Sequence, residues 1–483
     1  MPPLLLLLLL PTTGALLVAL LPSRLAHRVA TGAALATMLW SGWVASLFSD
    51  RIAHLQLLEK IVWRPRLGSH FALGVDGLSL PMLLLATLLT LVAVLASGHV
   101  RTRVKGYFIP LLLLEAAMLG VFAAQDWSLF YIFWELTLLP LFFLINNYGG
   151  AQRNRAALNF LLYTMGGSVF LLLALLLAYD ALPEHTFLMT AMAEGLRDLP
   201  REKQILIFLG FFIGFGVKMP VFPLHGWLPL AHVEAPAPVS ILLSGVLLKM
   251  GSYGLLRTAI LLPDAVSALQ GGLAALAMIN LLHGGVLAWR QIDLKGMIAY
   301  SSVSHMGVVL LGIATLESTG LTGAVLQMVS HGLTAGALFL VIGLLYERTH
   351  TRDIREYGSL TVPAPQFAFF TVVAFVASVG VPGTSGFIAE LHVLIGSLQR
   401  WGAWSALLSV GMLVSAAYAV RTIGVLCTGP ACQLRIDPPR RPEWIAAAML
   451  TLTILLVGVV PAPLIGKISA TIDQVSDLFA HRL

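Results

Sequence analysis

The chain places titratable side chains in apolar surroundings, where proton transfer is the chemistry open to them. Glu135 lies in FYIFWELTLLPLFFLI, Lys218 in LGFFIGFGVKMPVFPLHGWLP and Lys249 in SILLSGVLLKMGSYGLLR. His305 (AYSSVSHMGVVLLG), His331 (LQMVSHGLTAGALF), Glu390 (GTSGFIAEL) and Glu115 (LLLLEAAMLG) sit in similar runs. A charged group at mid-bilayer costs about 2.5–3.5 kcal/mol on insertion scales, so one found there tends to face protein or water and to mark a pathway. Carboxylate and amine paired across helices exchange protons, and imidazole carries a proton in either direction near neutral pH. The bland alternatives are a side chain near a helix end that snorkels to the interface, or a static ion pair that locks helix packing. For His305 and His331, surrounded by Ser, Thr and Gly, a hydrogen-bonded structural role competes with the relay role. His225 follows Lys218 by seven residues and falls on its face in a regular helix, although Pro220 and Pro223 intervene. His283 (NLLHGGVLAWR) is nearer a helix end and open to either reading, and Glu115 has no obvious partner.

These groups need spanning helices to hold them. Spans of about 20 apolar residues are expected near 3–22, 28–48, 77–97, 107–124, 127–147, 157–178, 204–224 and 238–260. Others follow near 267–288, 296–315, 322–345, 366–398, 402–424 and 442–465, giving about fourteen helices. The stretch 366–398 is interrupted at Val381-Pro382-Gly383 and Gly386 and reads as one broken helix. The leucine run 4–10 lacks a positive n-region and is flanked by Pro2, Pro3 and Pro11, so it reads as a first membrane helix rather than a signal peptide. The connections 49–76 and 179–203 are long enough for short helices or hairpins that cap one face.

Composition agrees. Of 483 residues, 58% are hydrophobic and 11% charged, less than half the roughly 25% charge of soluble domains. That excludes a string of soluble domains and a disordered chain. The net charge of +6 is spread between apolar runs, without the basic stripe of a nucleic-acid binder. Loops after odd-numbered helices carry most of the Lys and Arg, among them Arg101, Arg103, Arg153, Lys295 and Arg352. The positive-inside rule then puts both termini on the non-cytoplasmic side, as in a bacterial-type inner membrane. Cys427 and Cys432 read as chance thiols of one loop, and no His/Cys cluster suggests a metal or iron–sulfur site.

An internal repeat ties the charges together. Broken segments at 216–227 and 379–390 fall on the seventh and twelfth helices, and 170 residues separate Glu135 from His305 as 172 separate Lys218 from Glu390. Two five-helix units with an odd helix number are inverted in the membrane, an arrangement that places ion sites at the breaks. The expected organisation is an all-α polytopic protein. It has N-terminal helices 1–3 (1–106), a first inverted repeat (107–260), a second (261–425) and a last helix (426–483).

The segments WELTLLP (134–140), KMPVFPLHGWLPLAHVEAPAPVS (218–240), SGVLLKMGSYGLLR (244–257), AYSSVSHMG (299–307), HGLTAGALFLVIGLLYERTHTRDIREYGSL (331–360) and GTSGFIAEL (383–391) resemble the antiporter-like membrane subunits of respiratory complex I. Among these the chain is most similar to the chain M type, because Glu390 stands where sister chains and multisubunit Na⁺/H⁺ antiporters typically carry Lys. The resemblance implies a proton pump without a redox centre of its own. Glu135 and Lys218 would be a coupled acid–base pair, Lys249 the central carrier, His305 and His331 bridging groups, and Glu390 the exit-side carboxylate. NADH, FMN, iron–sulfur clusters and quinone would belong to partner subunits, and the neighbours would include two sister antiporter-like chains and the lipid bilayer. NNYGG (146–150) and PLAHVEAP depart from the family's usual wording. A subunit of a cation/proton antiporter or membrane-bound hydrogenase is the runner-up, and a structural spacer is the reading from another class.

Overall fold

The computed structural model describes residues 2–430 and 434–480, so Cys432 lies outside the described residues. The chain opens with α1 (Pro3–Leu20) and α2 (Ala26–Leu47), then an antiparallel hairpin of β1 (Gln56–Arg64) and β2 (Ser69–Val75). There follow α3 (Ser79–Ala96), α4 (Val104–Ala123), α5 (Trp127–Leu136), α6 (Leu138–Tyr148), α7 (Arg153–Asp180) and the short α8 (Met189–Gly195). The middle of the chain forms α9 (Arg201–Lys218), α10 (Leu228–Glu234), α11 (Ala237–Leu242), α12 (Leu248–Leu261), α13 (Pro263–Arg290), α14 (Leu294–Thr315) and α15 (Ser318–Thr349). The last are α16 (Pro365–Ser378), α17 (Ser385–Trp401), α18 (Ala406–Cys427), α19 (Arg441–Val459) and α20 (Ala462–Asp477).

Among the described residues, eleven helices are long and apolar enough to cross a membrane, counting Trp127–Tyr148, Ala237–Leu261 and Ser385–Cys427 as one each. Their burial differs in a way that bears on function. The apolar windows of Ala237–Leu261 and of α15 are wholly buried and that of α14 nearly so, whereas those of α7 and α19 are only 39% and 33% buried. Outer faces carry Leu158, Leu162, Leu173, Leu452 and Val459 exposed, as a lipid- or subunit-facing surface requires. Lys249, His305 and His331 therefore stand on the helices that other helices enclose.

Local chemistry explains where the helices stop. Pro220 and Pro223 cannot continue the hydrogen-bond ladder of α9, and 219–227 runs as turns before α10. The Trp227 indole Nε1 donates to the Val217 carbonyl at 2.9 Å, and Asn280 Oδ1 accepts from the Phe222 amide at 2.8 Å, which restores partners to this bared backbone. The second break, 379–384, turns through Gly380 and Gly383, both at positive φ, where a side chain is strained. Gly386, read from sequence as part of this interruption, belongs to α17. Two further irregularities were not foreseen. The expected helix 127–147 is divided at Thr137, and the expected span 238–260 contains a π-helical turn at Leu243–Leu247. Cys427 ends α18 instead of lying in a loop.

The long connections do form caps. One is the β1–β2 hairpin and the other carries α8. The hairpin also ends α1: Glu59 accepts from the Leu4 and Leu5 amides at 2.6 and 2.9 Å. A carboxylate there satisfies two amides that have no partner within the helix and complements the helix dipole. Glu59→Ala is expected to cost about 1 kcal/mol of local stability. Faster hydrogen–deuterium exchange of the first turn of α1 would show it, with no change at α12.

Candidate proton-transfer axis

The π-helical turn prepares the site. Such turns shift the backbone register by one residue and are frequent at functional positions. Just beyond it, Lys249 is fully enclosed, and its Nζ donates to the Ser244 carbonyl at 2.6 Å. The same Nζ lies 2.6 Å from Nδ1 of His331 on α15. With the ammonium donating, His331 Nδ1 accepts and its own proton sits on Nε2, an atom buried without a hydrogen-bonding partner. The His331 ring faces that of His305 on α14, with centroids 5.5 Å apart. His305 Nδ1 then lies 3.6 Å from Glu390 Oε1, and Gln327 Nε2 approaches the same nitrogen at 3.4 Å. Lysine, two imidazoles and a carboxylate from α12, α15, α14 and α17 thus follow one another through the enclosed core.

The second break shapes the end of this line. A side chain at Gly380 would meet Glu390 Oε2 at 2.6 Å. Glycine there both supplies the positive φ and leaves room for the carboxylate. Oε2 of Glu390 and Nε2 of His305 are buried without a partner. These are sites at which a water molecule can bridge groups too far apart to touch.

Lys218 ends α9 at the first break. Its Nζ donates to Thr137 Oγ1 at 2.9 Å and stands 4.0 Å over the Trp134 ring. The interruption between α5 and α6 is what brings Thr137 to this position, and Trp134 is itself fixed by its Nε1 donating to Ser168 Oγ at 3.0 Å. Glu135 stands one residue away from that indole but makes no ion pair with Lys218 within 4.0 Å. It is half-buried, between exposed Ile132 and Leu139. Its carboxylate lies toward the lateral margin of the chain, with Oε1 buried and without a hydrogen-bonding partner. Lys218 likewise makes no direct hydrogen bond to Lys249. The two are linked by close packing of α9 on α12, where a Cβ at Gly251 would meet the Phe215 carbonyl at 2.7 Å.

The remaining candidates fall apart from this line. His225 does not share a helical face with Lys218, since the residues between them are not helical. It packs instead with His283 and Phe222, with ring centroids 5.4 and 5.9 Å away. Glu115 is fully buried with neither carboxylate oxygen partnered. Sequence reasoning passed over His232 and Lys295. His232 on α10 is fully buried, stacked on Phe339 at 4.5 Å, with neither ring nitrogen partnered. Lys295, counted from sequence as an orienting loop charge, is buried and donates to the Ala235 carbonyl at 2.9 Å. The same test of charge within apolar surroundings, applied to PLAHVEAP, finds His232. Among the described residues no group of three or more His, Cys, Asp or Glu could hold a metal ion.

Known proteins carry the same architecture. Residues 124–415 match the family model described as NADH:quinone oxidoreductase/Mrp antiporter, TM. The chain is 40% identical over 473 residues to NAD(P)H-quinone oxidoreductase chain 4 2 of Thermosynechococcus vestitus, covering 94% of this chain and 88% of the relative. It is 48% identical over 364 residues to NAD(P)H-quinone oxidoreductase chain 4 1 of Synechococcus elongatus, covering 75% and 67% respectively. Its structure matches a chain of respiratory complex I from Thermus thermophilus with a TM-score of 0.90 at 32% identity, over 99% of this chain and all of that one. A chain of the Mrp complex from Dietzia sp. shares the fold, with a TM-score of 0.86 at 22% identity over 99% of this chain and 56% of the other. With the family model matching residues 124–415 and 40% identity over most of the length of a relative, the chain belongs to the NADH:quinone oxidoreductase/Mrp antiporter family of membrane subunits.

Proposed function

We propose that this chain is a proton-translocating membrane subunit of an NADH:quinone oxidoreductase complex, moving protons as quinone is reduced in partner subunits. The observation that carries this reading is the succession Lys249, His331, His305, Glu390, four buried titratable side chains, the first three of them on enclosed helices. Charges in such a place have to move protons or be neutralised. Lys249 is the central carrier, the two histidines bridge, and Glu390 is the carboxylate at the exit side. Lys218 and Glu135 form the first half of the device, coupled through Thr137 and Trp134 rather than by contact. The position of Glu135 at the lateral margin suits a group that senses a neighbouring sister chain. Flavin, iron–sulfur clusters and quinone are carried by partners, and both termini lie on the non-cytoplasmic side. The two halves, 107–260 and 261–425, act as inverted repeats.

The experiment is to isolate the chain with its partners from native membrane and to assay the preparation in sealed vesicles. Flavin and iron–sulfur content, together with acidification or alkalinisation of the lumen on adding NADH and quinone, support the reading. A preparation without redox subunits that exchanges Na⁺ for H⁺ would establish a cation/proton antiporter instead, and nickel would establish a hydrogenase.

A further inference from the structure

A second polar constellation lies outside the axis, at the opposite end of α12. Beneath the hairpin, α8 and α20 a cavity of about 500 Å³ opens between His54, Lys60, Glu194 and Arg197, and its floor is formed by Asp76 and Arg257. A cavity of this size and polarity holds many waters. Asp76 and Arg257 form a bidentate pair, with Arg257 Nη1 donating to Oδ2 at 2.6 Å and Nη2 to Oδ1 at 2.8 Å. Both side chains are about nine-tenths buried.

The pair is built into the fold from both directions. Asp76 Oδ1 also accepts from the Leu78 and Ser79 amides at 3.1 and 3.0 Å, which anchors the start of α3. Burial alone would raise the Asp76 carboxyl, but the charge of Arg257 and the hydrogen bonds from Arg257 and Ser79 outweigh it and hold it below its ordinary value. The pair is therefore ionised at neutral pH. Arg257 Nε donates to the Tyr253 hydroxyl at 3.0 Å, and Tyr253 donates to the Phe122 carbonyl at 3.1 Å. The tyrosine ring is walled by Phe122 and Phe130, at centroid distances of 5.3 and 6.5 Å.

Lys249 lies two turns along α12 from Arg257, about 12 Å at 1.5 Å per residue, with Tyr253 midway. The hydrogen bonds leaving the cavity floor in that direction end on a backbone carbonyl. A carbonyl takes no proton onward, and the single hydroxyl proton of Tyr253 is committed to it. A fixed guanidinium at a constriction also opposes the entry of protons and cations.

We propose that Asp76, Arg257 and Tyr253 form a seal between this aqueous vestibule and Lys249, so that protons on the central lysine cannot short-circuit to this face of the membrane. The proposal rests on Lys249 being the central proton carrier. Its role is to prevent leak, and it predicts nothing about the rate of quinone reduction.

The test uses the whole complex reconstituted in liposomes, without NADH. A potassium–valinomycin potential is imposed and proton entry is followed with a lumenal pH dye. Arg257→Met removes the fixed guanidinium, leaves Asp76 unpaired and draws water to it, so passive proton entry is expected to rise on the order of tenfold. Tyr253→Phe, which keeps the packing and loses only the hydroxyl, is expected to raise it by a smaller factor. Adding Lys249→Ala to either variant should return the leak to the unsubstituted level. Unchanged leak in both single variants with the complex intact would overturn the seal, and so would a leak that survives Lys249→Ala. The reading of Lys249 as carrier is judged separately, by the NADH-driven proton yield of Lys249→Ala alone.

Discussion

Replacing Lys249 by alanine is expected to reduce NADH-driven proton translocation on the order of a hundredfold or more, the scale on which a positioned proton-transfer group contributes. The geometry makes this the largest effect in the chain. Lys249 Nζ is the group that touches both the carbonyl bared at the π-helical turn and His331, so its removal leaves His331 Nδ1 without a donor. No other side chain of α12 reaches that nitrogen among the hydrogen bonds of the described residues. Lys249→Arg keeps the positive charge but holds its proton permanently, and is expected to fail as well. A purely electrostatic or packing role would be rescued by arginine, so the pair of variants separates the two. The measurement is the initial proton yield per NADH oxidised in vesicles with native subunit content. A normal yield in Lys249→Ala would remove the lysine from the pathway.

The second large effect is expected at Lys218. Lys218→Ala should lower coupled proton yield at least about tenfold while the complex still assembles. The ammonium is held by Thr137 and by the face of Trp134, and its loss leaves a neutral hydroxyl and an apolar ring, which the site tolerates. Glu135→Gln should act in the same direction, because the glutamine keeps the shape and loses the charge. Thr137→Val tests the contact that sequence did not suggest. It should lower the coupled proton yield less than Lys218→Ala does, since the hydroxyl positions the ammonium without carrying a proton of the pathway itself. Normal proton yield in both Lys218→Ala and Glu135→Gln would sink the first half of the relay.

Much of the axis was legible in the sequence because bilayer physics makes charge conspicuous. Lys249, His305, His331 and Glu390 stood out from apolar runs, and the structure brings all of them into one line. Both broken helices were legible too, since Pro and Gly interrupt a helix by local chemistry that needs no tertiary information. The failures have equally local causes. His225 would share the face of Lys218 only in a regular helix, and the prolines between them leave the segment non-helical, where phase has no meaning. The resemblance implied a coupled Glu135–Lys218 pair, and the sequence did not suggest that the lysine's direct hydrogen-bond partner is Thr137, at the point where α5 and α6 part.

By itself, then, the sequence determined the class of environment, the residues that had to be enclosed within it, and the places where helices would break. Those follow from hydrophobic run length, the cost of buried charge and the limits of proline, all of which act within a few residues of chain. Tertiary structure decided which enclosed groups touch. His331 meets Lys249 across α15 and α12, and His305 meets Glu390 across α14 and α17. The same packing leaves Glu115 isolated, sets Glu135 at the margin and pairs Asp76 with an arginine 181 residues away. Distances between helices depend on how small residues such as Gly251 and Gly380 let backbones and side chains approach. That information is shared between surfaces and is not contained in either segment alone.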